Sequence, residues 1–302
     1  MSLFTLDSDP YPDSESTTGS KAATSTQTYT MLDVQVSGKT RAFIAGLTSE
    51  AVTKIKNWSY TGYITSSFID AEKCEYNNDF EADDYLCWAA GASNVLWYTG
   101  WANPNLKDDN GKPFKSEDDV FTYFINHFEN NGSDSYYAYE WFISGNYTAD
   151  PDWAQPWPSN PGGNYYPDIN VYDVIGISGY ITLTGQKSTV LQRLNDLTSK
   201  LRDGYGINLG IFHNSGGGHE ITAWGYVYDS SKKNTDTGYY KKLLITDSDD
   251  DGWNTSIPSA TSAPNKLHSI TMTWNGSRYN LSDRFAGYYL SDYVYLPQAE
   301  KY

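Results

Sequence analysis

The sequence predicts an α+β fold, and three observations predict it. Helical segments come mainly first and antiparallel-looking strands later. The strand–helix–strand alternation of a nucleotide-binding sheet is missing. No internal repeat marks a solenoid or propeller.

Each element has its own signal. Residues 87–98 read as a helix, with Asp83 or Asp84 near its start and Gly100 just past its end. Residues 116–130 read as a second helix, in which Ser116 and Asp119 make a capping-box-like start and Asn131-Gly132 the stop. Residues 188–203 form a third, with Val190, Leu191, Leu194, Leu197 and Leu201 on one stripe and Gly204 as terminator. The segments "YTMLDVQVSG", "GINLGIF", "HEITAWGYVY", "YYKKLLITD", "HSITMTW" and "YYLSDYVYL" read as strands. Within "HEITAWG", Ile221 and Ala223 alternate with Glu220 and Thr222, so one face should meet a core. Residues 136–166 read as a long loop rich in Trp, Pro and Tyr, a kind of segment that often carries function.

Residues 1–28 are rich in Ser, Thr, Asp and Pro, and bury too little to offset their ordering entropy; they read as a disordered tail or spacer. Residues 29–302 read as a single domain, long enough to bury a sizeable core. A net charge of −16 argues against nucleic acid, because nothing would neutralise phosphates. No run of 18 apolar residues predicts a membrane span. The first ten residues lack the basic and apolar regions of a signal peptide. Few Lys, many Tyr, Asn, Ser and Thr, and only two cysteines fit a secreted or cell-surface bacterial protein whose export signal is not in this chain.

Those two cysteines, Cys74 and Cys87, make no disulfide framework, although a single bridge between them would mask Cys87. A free cysteine is most often a small buried hydrophobe. Cys87 differs in its position. A thiol in the first turn of a helix faces unpaired N–H groups and the positive end of the dipole, which favour the thiolate. Ala89, Ala90, Gly91 and Ala92 follow, and small residues let the helix seat closely on a neighbour.

A thiolate nucleophile needs a base, and the base needs an orienting group. Of four histidines, His127 lies in an amphipathic helix and reads as structural. His268 opens a strand without supporting context, and His213 is held in reserve. His219 follows "NSGGG" and begins a strand, which presents an imidazole at a rim. Asp247 ends the next strand, where antiparallel pairing would bring it beside His219. Asp249, Asp250 and Asp251 resemble a solvated turn or weak cation site, and the spacing of a calcium-binding EF-hand is absent.

The order Cys, His, Asp resembles the papain-like cysteine peptidases. More narrowly, "DDYLCWAA", "EWFISGNY", "GINLGIF", "HEITAWGYVYD" and "ITDSDDD" resemble the IdeS/Mac-type immunoglobulin-degrading endopeptidases of streptococci, over about residue 68 to the C-terminus. The resemblance implies a two-lobed fold, a helical lobe carrying the Cys helix packed on an antiparallel β lobe carrying His and Asp. It implies Cys87 as nucleophile, His219 as base, Asp247 as orienter and Asp249 as a secondary acidic group. It also implies an upstream lysine in the oxyanion hole. The nearest, Lys73, stands further from Cys87 than the family spacing, so Asn77 and Asn78 are alternative amide donors. Trp88 departs from the streptococcal pattern but looks like wider papain-like enzymes.

The implied function is a secreted cysteine endopeptidase acting through a thioester on a protein substrate, with the immunoglobulin G hinge as the implied target. No cofactor or metal is expected. Two alternatives stay open at this stage. One is an amidase of cell-wall peptides, like NlpC or CHAP enzymes. The other is a binding module in which Trp153 and Trp157 stack on sugars.

Overall fold

The computed structural model of the chain describes residues 19–22, 28–73, 83–175, 181–249 and 265–302. Eleven strands run through it: β1 Gly19–Ala22, β2 Thr28–Ser37, β3 Thr40–Leu47, β4 Tyr63–Thr65, β5 Ile181–Thr182, β6 Gly206–His213, β7 Gly218–Asp229, β8 Tyr240–Thr246, β9 Lys266–Trp274, β10 Tyr279–Leu281 and β11 Tyr288–Leu296. The helices are α1 Ser49–Lys56, α2 Cys87–Thr99, α3 Glu117–His127, α4 Ser135–Ser144, α5 Val171–Ile175 and α6 Lys187–Arg202.

All the strands belong to one antiparallel sheet, and six of them close on themselves. β7 pairs β6, β6 pairs β11, β11 pairs β10, β10 pairs β9, β9 pairs β8, and β8 returns to β7. Closure satisfies both edges of every barrel strand. β3 extends the sheet from the far half of β7, followed outward by β2 and β1, while β4 adds to β9 and β5 to β11. Gly19–Ala22 pairs with β2, and the rest of the expected tail up to residue 27 lies outside the described residues.

This architecture corrects the two-lobed papain-like expectation. The strands form a closed six-stranded barrel with extensions, and the helices do not build a separate lobe over it. α2 lies directly on the sheet, touching β6, β7 and β11, with α3 and α4 packed behind it. The sequence reads α2, α3 and α6 and the strands β2, β6, β7, β8, β9 and β11, but not β3, α1, β4, α4 or α5, and which strands pair is a long-range property that no local pattern contains.

One face of the sheet meets α2. Gly206 of β6 lies so close to Val95 that an added Cβ would stand 2.6 Å from its Cγ1. A Cβ on Gly91 would likewise strike the Asn208 amide, so the small residues after Cys87 do seat the helix on the sheet. From Trp88 to Thr99 every residue of α2 is buried, which makes it a core helix rather than an amphipathic one. The opposite face carries Ile207, Leu209, Ile211 and Ile221, which join Val190, Leu191, Leu194 and Leu197 of α6. With both faces covered, Glu220 and Thr222 are buried like their neighbours, and the expected in-and-out alternation of β7 is lost.

Local expectations also shift. α3 ends at His127 because Phe128 turns into an isolated bridge with Pro156. Ser116 caps α3 by position only; Asp119 instead accepts from the Lys115 N–H at 2.8 Å. Leu86, not an aspartate, stands at the start of α2, with no side-chain cap. The expected 136–166 loop contains α4, packed through Tyr139, Trp141 and Phe142 into the core. Trp153 and Trp157 remain exposed at its far side.

Where β3 crosses β7, Gly225 has no room for a side chain. A Cβ there would meet the Phe43 carbonyl oxygen and stand 2.9 Å from Ile44 Cα, both backbone atoms that cannot yield. Gly225→Ala is expected to destabilise the protein by about 1–3 kcal/mol, as overpacking does. Urea unfolding midpoints measure it, and an unchanged midpoint would show that the two strands separate easily.

Candidate active site

The first turn of α2, the start of β7 and the end of β8 meet at one point. Cys87 is the first residue of α2 and is partly exposed. The chain on either side of it is pinned: the Tyr85 N–H donates to Asn130 Oδ1 at 2.8 Å, and Trp88 Nε1 donates to the Asn131 carbonyl at 3.1 Å. On the other side a glycine turn delivers β7. Gly216 and Gly217 have φ of +103° and +88°, conformations that only glycine adopts without strain. The pairing Thr222 to Thr246 then runs the chain after β8 back alongside His219.

His219 is gripped from two sides. Its Nε2 donates to Asp247 Oδ1 at 2.6 Å, which leaves Nδ1 for the neighbouring Cys87 thiol, whose charge raises the imidazole's pKa. Asp247 is 1 % exposed, so its charge depends on partners. Arg284 supplies the second one: its Nη2 stands 2.8 Å from Asp247 Oδ2. The same guanidinium donates to the Asp249 carbonyl at 2.9 Å and to His268 Nε2 at 3.1 Å.

Lys73 approaches from the segment ahead of α2. Its main-chain N–H donates to the Ser248 carbonyl at 3.1 Å. Its Nζ donates to the Asp84 carbonyl at 2.6 Å and pairs with Asp249 Oδ1 at 2.7 Å. Asp249 Oδ2 in turn lies 3.7 Å from His219 Nδ1.

These contacts set the protonation states. Burial pushes the Cys87 thiol up, but the charge and hydrogen bond of His219, the charge of Lys73 and the Glu220 N–H outweigh it, and its pKa falls below the ordinary thiol value. Burial pushes His219 down, yet Asp247 and the Cys87 thiolate raise it well above the usual histidine range. Asp247 resists burial through His219 and Arg284, and its pKa drops to about 2. Lys73 is raised: Asp249 and Cys87 override the cost of burying it. The Cys87 and His219 shifts run in the directions that favour a thiolate–imidazolium pair.

His219, Asp247 and Asp249 offer donor atoms within 4.8 Å of one another, a spacing that would also suit a cation. Each is already engaged by a positive or hydrogen-bonding partner: Asp247 by His219 and Arg284, Asp249 by Lys73. The group reads as an ion-pair network.

Of the residues singled out from the sequence, Cys87, His219, Asp247, Asp249 and Lys73 come together here. Asn77 and Asn78, the other oxyanion candidates, and Cys74 lie outside the described residues, as do Asp250 and Asp251. His213 stays at the end of β6, bonded to Ser215 Oγ at 2.6 Å. His127 is buried in the helical layer, with Nε2 2.7 Å from Asp109 Oδ2. His268 enters the site's surroundings through Arg284. Sequence reasoning missed Arg284 and Glu220. Arg284 sits on a 3-10 turn, Asp283–Phe285, that only barrel closure carries to the end of β8, so no local pattern announces it. The chain matches no protein-family model, and no curated protein is significantly similar to it.

The pH dependence of stability follows from these shifts. Asp247 is depressed, so its contribution is present above the ordinary carboxylate value of about 3.9 and is lost as pH falls through about 2. His219 is raised, so its contribution is complete below about 6.5 and is lost as pH rises through its folded value. The stability gap between wild type and Asp247→Asn should be widest between about pH 4 and 6.5. It should close between about pH 4 and pH 2, read from denaturant midpoints. A gap that persists unchanged below pH 2 would contradict the assignment of the charge to Asp247.

Proposed function

We propose that this chain is a cysteine endopeptidase. The observation that carries the reading is His219, which stands beside Cys87 and lowers its thiol pKa while its Nε2–H donates to buried Asp247. That arrangement supplies a nucleophile, a base and an orienting group in mutual contact, which is the geometric requirement for covalent acyl transfer.

In the proposed reaction the Cys87 thiolate attacks a peptide carbonyl carbon, forming a C–S bond and a tetrahedral oxyanion. Helix α2 begins at Cys87, so its main-chain N–H is one donor for that oxygen. Lys73 is the other. An ammonium has three N–H donors, and Asp84 and Asp249 take two of them. The imidazolium of His219 gives its proton to the leaving nitrogen, and the C–N bond breaks. Water then attacks the thioester carbon as His219 takes a proton from it, and the thiolate leaves with the carboxylic acid product.

The segments around Cys87, His219 and Asp247 support a resemblance to IdeS/Mac-type peptidases, independently of the fold. On that basis the substrate is a protein, with the immunoglobulin G hinge as the first candidate, and the site of action is outside a bacterial cell. Wild type and Cys87→Ala incubated with immunoglobulin G, a panel of unrelated proteins and purified peptidoglycan test this. Wild type should release discrete protein fragments, and Cys87→Ala should lose at least about 10³-fold of the rate. Full hydrolysis by Cys87→Ala would end the reading, and cleavage of peptidoglycan alone would replace it with a cell-wall amidase.

A further inference from the structure

Glu220 is buried directly behind the site, and the chemistry proposed above gives its carboxyl no part. It is the first buried residue of β7, after exposed Gly218 and partly exposed His219. Its main chain and side chain face two different helices. The Glu220 N–H faces the Cys87 sulfur at the start of α2 and helps lower the thiol's pKa. The carboxyl accepts from the Ser135 N–H at the start of α4, with Oε1 at 3.1 Å and Oε2 at 3.3 Å, and from Asn208 Nδ2 at 3.4 Å.

The Ser135 N–H needs this acceptor. It is the first residue of α4 and has no partner within the helix. The Asp134 side chain, at the cap position, is committed to Tyr136 N at 2.8 Å. Packing alone would be met by an apolar residue, so an acid in this place is there for its hydrogen bonds.

We propose that Glu220 is a positioning residue of the site: its carboxyl ties the start of β7 to the first N–H of α4, and this holds the adjacent His219 in register with Cys87. The proposal rests on the cysteine-peptidase reading only for its catalytic consequence.

The surroundings decide the form of the carboxyl. Cys87 faces it from α2, Asp134 and Tyr139 from α4, and His219 precedes it on β7. Asp292 of β11 reaches over Gly210, which lies opposite Glu220 on β6 and has no room for a Cβ because the Asp292 carboxylate fills that space. Burial, then Asp134, then the Cys87 charge push Glu220 well above the usual carboxylate range. Asp134 itself rises to about 6 through burial and Asp292. These influences favour the protonated carboxyl, a form that spares the thiolate a negative neighbour while leaving a carbonyl oxygen to accept from Ser135.

An uncharged amide should then do the same work. The readout is the pH profile of iodoacetamide alkylation at Cys87, followed by mass spectrometry of its peptide. This needs no substrate, so it stands even if Cys87→Ala leaves hydrolysis intact. Glu220→Ala is expected to move the acid limb of that profile to higher pH and to lower kcat/KM roughly tenfold or more through kcat. Glu220→Gln should restore both. Ser135→Pro removes the donated N–H together with the hydroxyl, and Ser135→Ala, which removes the hydroxyl alone and should leave the profile at wild type, separates the two; proline is tolerated at the first helical position, and the extended backbone of Asp134 suits a following proline. Ser135→Pro should reproduce the Glu220→Ala profile, and it keeps the test open if Glu220→Ala does not fold. A Ser135→Pro profile identical to wild type, or a Glu220→Gln profile shifted as far as Glu220→Ala, overturns the proposal.

Discussion

A carboxylate buried as deeply as Asp247 has to be neutralised where it stands, and the site is organised around that requirement. Arg284 meets one oxygen and His219 the other. The proton held on His219 in turn stabilises the Cys87 thiolate, and the Lys73 ammonium reinforces it from the other side. Asp249 closes the series by pairing with Lys73. Charges alternate in sign along the whole chain of contacts, from Arg284 through Asp247, His219, Cys87 and Lys73 to Asp249. Removing any inner member leaves two like charges facing each other in a region with little water, which costs far more than the loss of one contact at a surface.

The fold brings these charges together from distant parts of the chain. Pairing of β7 with β8 returns Asp247 to His219. Closure of the barrel through β9, β10 and β11 brings the turn carrying Arg284 to the same end. Close seating of α2 on β6, which Gly91 and Gly206 permit, fixes the height of the sulfur above the sheet. Glu220 ties the start of β7, next to His219, to the first turn of α4. Each device is a packing or hydrogen-bond constraint on the backbone, so the reacting groups are held before any substrate arrives.

Some of this was legible in the sequence. The first-turn position of Cys87 and the glycine turn before His219 are local signals, and each predicts its placement from propensity alone. The return of Asp247 needed only one hairpin. What local reasoning missed depends on pairing at a distance. The two-lobed arrangement expected from the order of elements gave way to a barrel, because alternating strands carry no record of which neighbour they choose. Glu220 looked solvent-facing while one face of β7 was taken as open, and α2 covers that face. Arg284 showed no signal at all: it stands on a turn between strands, and its meaning comes from the carboxylate it reaches.

The central claim is that Cys87 rests as a thiolate held by His219. Thiolate absorbs in the far ultraviolet, beyond the peptide band, where thiol is nearly transparent, so the difference in absorbance between wild type and Cys87→Ala, followed against pH, isolates this one sulfur from Cys74. The account predicts a difference that persists well below the free-thiol value of about 8.5 and that moves upward in His219→Ala. A transition at about 8.5 in wild type, unaffected by the loss of His219, would show an ordinary cysteine at a helix start and contradict it.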